Sequence, residues 1–193
     1  MPLTPAQRTT LAAHIRANTN TVTNVATGQP TAINALPDAG DNRQNIADWY
    51  NGIAQATDNQ PIAAPLALWK PSMSIAQLNS AIDWTADPTG GASPSAGQIT
   101  NLWLKWQSMC WGNQIDMTDP QVRQGIVSIW GSGTTTSVAI GAGGKQAGTR
   151  LECLLASAGV GGAAGLGPAA ARVSQVFGYR ISGPEVSDAL LNG

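Results

Sequence analysis

One histidine, His14, and two cysteines, Cys110 and Cys153, are the side chains with which this chain could run nucleophilic or metal chemistry. A Ser–His or Cys–His pair would have to use His14, yet no G-x-S-x-G elbow presents a serine to it. His14 therefore reads as a solvated or partly packed helix residue. One histidine and two separated cysteines do not complete a zinc site, so no metal is expected. Each cysteine sits in an apolar stretch, SMCW or LECLLA, which points to two buried free thiols.

Phosphate chemistry is tested by the glycines. Ile140-Gly141-Ala142-Gly143-Gly144-Lys145-Gln146 has the outline of a P-loop, but Ala139 stands where the first glycine belongs and Gln146 where a magnesium-binding Ser or Thr belongs. Gly159-Val160-Gly161-Gly162-Ala163-Ala164 matches G-x-G-x-x-A. A dinucleotide site also needs a preceding strand and an acid about 20 residues on, whereas a helical segment precedes this one and the next acid is Glu185. It reads as a flexible linker, and no cofactor is expected. Asp83, Asp87, Asp116 and Asp119 lie beside helix starts and turns, where aspartate caps backbone N–H groups, so they read as caps rather than as a glycosidase pair. No catalytic residue is assigned.

The elements that carry these side chains are mostly announced by caps. Thr4-Pro5-Ala6-Gln7 offers a capping box and opens a helix over 5–18. Residues 18–40 are Thr/Asn-rich, broken by Gly28, Pro30 and Pro37, and read as a long extended arm. Ile46, Trp49, Tyr50 and Ile53 share a face of a second helix opening near Asn45. Pro61, Pro65 and Pro71 impose an extended passage. Ser74-Ile75-Ala76-Gln77 is another capping box, and 85–93 is a turn-rich connection. Ile99, Leu102, Trp103, Trp106, Met109 and Cys110 fall on one face of a helix between Ser93 and Gly112. Thr118-Asp119-Pro120-Gln121 begins the next, with Val122, Ile126, Ile129 and Trp130 inward and Gly131 ending it.

Gly141, Gly143, Gly144 and Gly148 weaken any helix over 134–157, each by about 1 kcal/mol. Such glycines leave the segment irregular or permit close backbone approach. A Gly/Ala-rich connector follows at 157–168, then a strand-like run over 172–181, and Ser182 caps a last helix from Pro184 to Leu191. The expected architecture is mainly α: a small helical bundle (1–157) with an extended arm at 18–40, then a Gly/Ala-rich linker and flexible tail (158–193) carrying a short β-like segment.

Composition bounds the function. The chain has 193 residues, of which 42% are apolar, enough for a globular core. Only 11% are charged, against about 25% in typical soluble proteins. Well-hydrated charges keep molecules apart, so this surface is suited to being covered; the habit of a GC-rich genome accounts for the composition equally well. Ten basic and eleven acidic residues are spread thinly. No Lys/Arg cluster exists to neutralise several phosphates, which argues against tight nucleic-acid binding but permits loose passage of DNA through a ring. The N-terminus does not read as a signal peptide and no run of apolar residues is long enough to span a membrane. Of seven tryptophans, Trp103, Trp106 and Trp130 fit core faces. Trp69, between prolines, and Trp84, before a turn, read equally as interface anchors or core plugs.

The order of segments resembles a family of small tailed-bacteriophage neck proteins, the head-to-tail adaptors or connectors. The residues that carry the resemblance are Leu3-Thr4-x-x-Gln7, Ile46-Ala47-x-x-Tyr50-Asn51, Trp69-Lys70-x-Ser72 and Ile82-Asp83-Trp84-Thr85. They continue with Ile99-x-x-Leu102-Trp103, Asp119-Pro120-x-Val122-Arg123-x-Gly125-Ile126, Trp130-Gly131, Ala147-x-x-Arg150-Leu151-Glu152 and Val176-Phe177-Gly178 through Pro184-Glu185-Val186. Two features depart from it: the arm at 18–40 is long, and glycines at 139–148 replace a cationic Ala-rich helix.

The resemblance implies a non-enzymatic virion structural protein at the neck, a homo-oligomeric ring, twelvefold, between portal protein and the tail tube or nozzle protein. DNA passes through its channel, and no membrane is involved. Arg123, Arg150, Phe177 and Tyr179 then join Trp69 and Trp84 as interface candidates. A tail-completion or capsid-decoration protein is the alternative within phage assembly, and a small cytoplasmic enzyme or ligand-binding domain the one outside it.

Overall fold

The computed structural model describes residues 3–58, 67–85, 96–155 and 178–193. In chain order the elements are α1 (Pro5–Ala17), β1 (Thr21–Thr23), β2 (Pro30–Ala32), a 3-10 turn (Ile33–Ala35), α2 (Gly40–Asn51), β3 (Ala67–Trp69), β4 (Met73–Ser74) and α3 (Ile75–Ser80). They continue with α4 (Ala96–Met109), β5 (Gln114–Ile115), α5 (Pro120–Trp130), α6 (Thr135–Gly143), β6 (Lys145–Ala147), α7 (Arg150–Leu155) and α8 (Gly183–Asn192). Of the described residues, 54% are helical and 12% lie in strands or bridges. The architecture is therefore mixed α/β, which corrects the mainly helical bundle expected from the sequence. The strands are two or three residues long and pair as β1–β2, β3–β6 and β4–β5. Partners such as Met73 and Ile115 are far apart in the chain, so no local spacing announces them.

The described residues form two compact units. The first is built from 3–58, 147–155 and 178–193. Here α1 begins at a complete capping box, with Gln7 N–H donating to Thr4 Oγ1 and Gln7 Oε1 accepting from Thr4 N–H. It buries Leu11 and Ile15, each contributing about 1.5–3 kcal/mol by leaving water. Both α1 and α2 pack on α8, whose Val186 and Ala189 are fully buried. The last helix, assigned above to a flexible tail, is thus a core element of this unit. Its own start is a capping box between Ser182 and Glu185.

The expected arm over 18–40 is also structured. Thr21–Thr23 and Pro30–Ala32 form an antiparallel hairpin, with Val22 opposite Thr31. Threonine favours the pleated backbone, and buried asparagines satisfy what the short ladder leaves over. Asn18 Oδ1 accepts from Asn20 N–H, Asn24 Oδ1 from Ala26 N–H and Asn42 Oδ1 from Val25 N–H. Polar composition here encodes side-chain-to-backbone bonding rather than an extended arm.

The second unit spans residues 67–85 and 96–146. Helices α4, α5 and α6 pack in sequence around Trp106, Ile126, Ile129, Trp130 and Ile140, all buried. Asp119 caps α5 by accepting from Gln121 N–H, and Gly131 ends it at φ 80°, a conformation glycine adopts without a Cβ clash. The glycine-rich stretch after it forms α6, and Gly144 provides the close approach: a Cβ there would stand 2.7 Å from Met117 Cε and 3.1 Å from Ile140 O. The Gly/Ala-rich connector, most of the strand-like run (to residue 177), the Pro61/Pro65 passage and most of the 85–93 connection lie outside the described residues. Residues 178–181 form no strand.

Candidate functional site

The second unit carries a row of tryptophans that begins in its core and ends in solvent. Trp130 and Trp106 are buried, their rings edge to face at 5.4 Å. Trp103, half-buried on α4, meets Trp130 edge to face at 5.7 Å. Trp84 then stacks parallel on Trp103 at 5.7 Å while 60% exposed. Nearby in sequence on α4 and just past its end, Leu104 and Trp111 are 57% and 91% exposed. Aromatic pairs in these geometries add about 0.5–1.5 kcal/mol beyond area burial, so Trp84 is held by stacking even though water reaches most of it.

The chain on either side of Trp84 is pinned. α3 starts at the Ser74–Gln77 capping box, and the two turns at its end are closed by Ala81 N–H to Leu78 O and Ile82 N–H to Asn79 O. Asp83 N–H donates to Thr136 Oγ1 at 3.0 Å. Asp83 Oδ1 accepts from Thr85 N–H at 3.0 Å and from Thr85 Oγ1 at 2.6 Å, and these bonds hold its carboxyl below the ordinary aspartate value. Asp83 and Thr85 thus clamp the residue between them, and the Asp83 reading as a turn-forming aspartate matches its bonds.

Trp69 and Arg123, two further interface candidates, lie together inside this unit. Trp69 is 1% exposed and Arg123 wholly buried. The guanidinium stands 4.9 Å from the Trp69 ring centroid and the Lys145 ammonium 4.5 Å, within the range of a cation–π contact. Arg123 Nη1 donates to Met117 O at 2.6 Å. Burial lowers the Arg123 pKa against the opposing charges of Asp119 and Asp116; burial and Arg123 together lower that of Lys145. Both residues are core plugs in this chain. The signal for Arg123 was present: it stands three residues before Ile126 and seven before Trp130, on the face that packs inward.

Arg150 belongs to the first unit. It donates from Nε and Nη2 to the two carboxylate oxygens of Asp58, both at 2.9 Å, and from Nη1 to Trp49 O at 3.1 Å. Its guanidinium lies 4.3 Å over the Trp49 ring. Burial works to raise the Asp58 pKa, but the Arg150 bonds, the Gln55 N–H and the Arg150 charge hold it below the ordinary value. Gly52 makes room for this clamp, since a Cβ there would stand 2.7 Å from Arg150 Nη1. Tyr179 is half-buried and donates its hydroxyl to Glu185. Phe177 and Asp87 lie outside the described residues, as does the G-x-G-x-x-A stretch.

The remaining chemical candidates are also placed. His14 Nδ1 lies 2.6 Å from the Tyr50 hydroxyl, which accepts from Asn18 Nδ2 at 3.3 Å. Burial lowers the His14 pKa and raises that of Tyr50. Cys110 is half-buried and Cys153 buried. Burial, then the Glu152 and Asp58 charges, pushes the Cys153 thiol up to about 11, which makes it a poor nucleophile. The P-loop-like glycines close the C-terminal end of α6, where carbonyls rather than N–H groups point outward. Among the described residues no three His, Cys, Asp or Glu side chains converge, and no helix is long and apolar enough to cross a membrane.

The chain matches no protein-family model, no curated protein and no solved structure. The sequence singled out Trp84 but missed Leu104 and Trp111. Both lie off the apolar face of α4, and single apolar residues outside a stripe carry no periodic signal.

Proposed function

We propose that this protein is a non-enzymatic structural component of a tailed-phage virion, a head-to-tail adaptor that forms a ring between portal and tail at the neck and lets DNA pass. The observation that carries the reading is the exposed tryptophan face of the second unit: Trp84, 60% exposed, stacked on Trp103 and clamped between Asp83 and Thr85. A large, rigid aromatic anchored to a core and offered to solvent is what interface hot spots are made of. The sparse charge of the chain and the order of its motifs support the same reading.

The test is native mass spectrometry of the purified protein mixed with the portal protein encoded in the same genome. One copy bound per portal subunit is the expected stoichiometry of a closed ring, and Trp84→Ala is expected to weaken that binding at least about tenfold, the size of a hot-spot truncation. Absence of binding to portal overturns the adaptor reading. Hundreds of copies per virion would instead identify a capsid-decoration protein.

A further inference from the structure

The first unit contains a cleft of about 130 Å³ floored by Ile15, Ile33, Leu36 and Ile46 and flanked by Arg16 and Arg43. Ile15, Ile33 and Ile46 are buried beneath it. Its size fixes what it can take. Small-molecule sites run to about 300–1,000 Å³, whereas an apolar cavity of about 150 Å³ holds one benzene ring. The cleft, a little smaller but open at its mouth, therefore suits the leading six-membered ring of one aromatic side chain, the rest of which stays at the mouth.

Its mouth adds a charge preference. Arg16 is held by a bond from Nη2 to Leu190 O at 2.9 Å, and Arg43 by one from Nε to Asp38 Oδ1 at 2.6 Å. With Asp38 also lining the cleft, the three charged groups leave one net positive charge over an apolar floor. A guanidinium beside an apolar slot attracts the electron-rich face of an aromatic ring, and an indole best of all.

The chain itself presents such a ring. Trp111, in the turn that follows α4, is 91% exposed, so almost nothing of its own chain covers it. Among the described residues, Trp84 is already stacked, and the other large exposed hydrophobic side chains, Val25, Ile53, Leu104, Val138 and Leu191, are aliphatic. We propose that the Trp111 indole of one copy enters the arginine-flanked cleft of a second copy. Knob and cleft are different surfaces, so the contact is heterologous and head to tail. Such a contact repeats around a ring when the rotation closes and along a filament when it does not. The inference rests on the ring reading above for its purpose, and its test does not involve the portal.

Sedimentation velocity of the full chain over rising concentration reads the contact directly. The wild type is expected to self-associate. Trp111→Ala removes the knob, and Asn34→Trp, at an exposed position on the cleft wall, fills the slot from its own side. Each variant alone is expected to associate at least about tenfold more weakly, with unchanged circular dichroism. Mixed together they are expected to form a heterodimer and stop there, because each retains one competent half. A wild type that stays monomeric, a Trp111→Ala variant that assembles like wild type, or a mixture that fails to pair would each overturn the proposal. A protein that binds portal yet never self-associates would sink this contact and leave the adaptor reading standing; the reverse result would do the opposite.

Discussion

His14 shows how one buried polar group ties stability to pH. Its Nδ1 faces the Tyr50 hydroxyl, and its Nε2 is buried without a hydrogen-bond partner. Tyr50 accepts from Asn18, so its own O–H is free to donate to Nδ1 and the ring proton belongs on Nε2. Protonating Nδ1 would replace that bond by a buried charge. Burial lowers the folded pKa below the ordinary 6.5, so between the two values the unfolded chain binds a proton that the folded chain refuses. Stability is therefore fully present above about pH 6.5 and falls as pH drops through the folded pKa. Urea midpoints measured from pH 8 down to pH 5 should decline, and His14→Gln should flatten that slope. Asp58, whose folded pKa is also lowered, acts in a separate window below its ordinary 3.8 and does not confuse the result.

At the scale of elements, caps carry more weight here than helix length. α3 has six residues, too few to persist by propagation. Its position depends on the Ser74–Gln77 box and on the turn that delivers Trp84. Ser74→Ala should cost about 1 kcal/mol, read as a lower denaturation midpoint, and loosen the Trp84–Trp103 stack, read as a loss of near-ultraviolet dichroism. Caps were also what the sequence made most legible: Thr4, Ser74, Asp119 and Ser182 each mark the helix start that the structure has. The interior periodicity of α4 and α5 placed Trp106, Ile126, Ile129 and Trp130 in the core. The three small sheets stayed hidden because each pair is too short for alternation to register and, in two of them, joins distant residues. Arg123 entered as an interface candidate through the resemblance alone, whereas its place on the inward face of α5 buries it. Of the candidate surface, Trp84 was legible from its turn, while Trp111 carried no signal beyond its type.

For the whole molecule, the important fact is how each unit is threaded. The second is one span of chain apart from the residues not described, whereas the first gathers three stretches, with α8 packed on α1 and α2. Val186 and Ala189 on α8 are fully buried, as are Leu11, Ala12 and Ala47 on the helices beneath, with Ile46 buried beside them. Deleting residues 183–193 should therefore strip protection from 3–58 and 147–155 and leave the second unit folded. Hydrogen exchange read by mass spectrometry would check this, and uniform loss across both units would refute it. The same threading sets a timetable. A ribosome that has finished α2 must still make more than a hundred residues before α8 emerges, on the order of ten seconds at ordinary elongation rates. Throughout that interval the apolar faces of α1 and α2 that α8 covers stay open. In a cell producing many copies at once, those faces on one nascent chain are open to the finished α8 of another, so crowding of ribosomes on the message favours exchanged helices between copies.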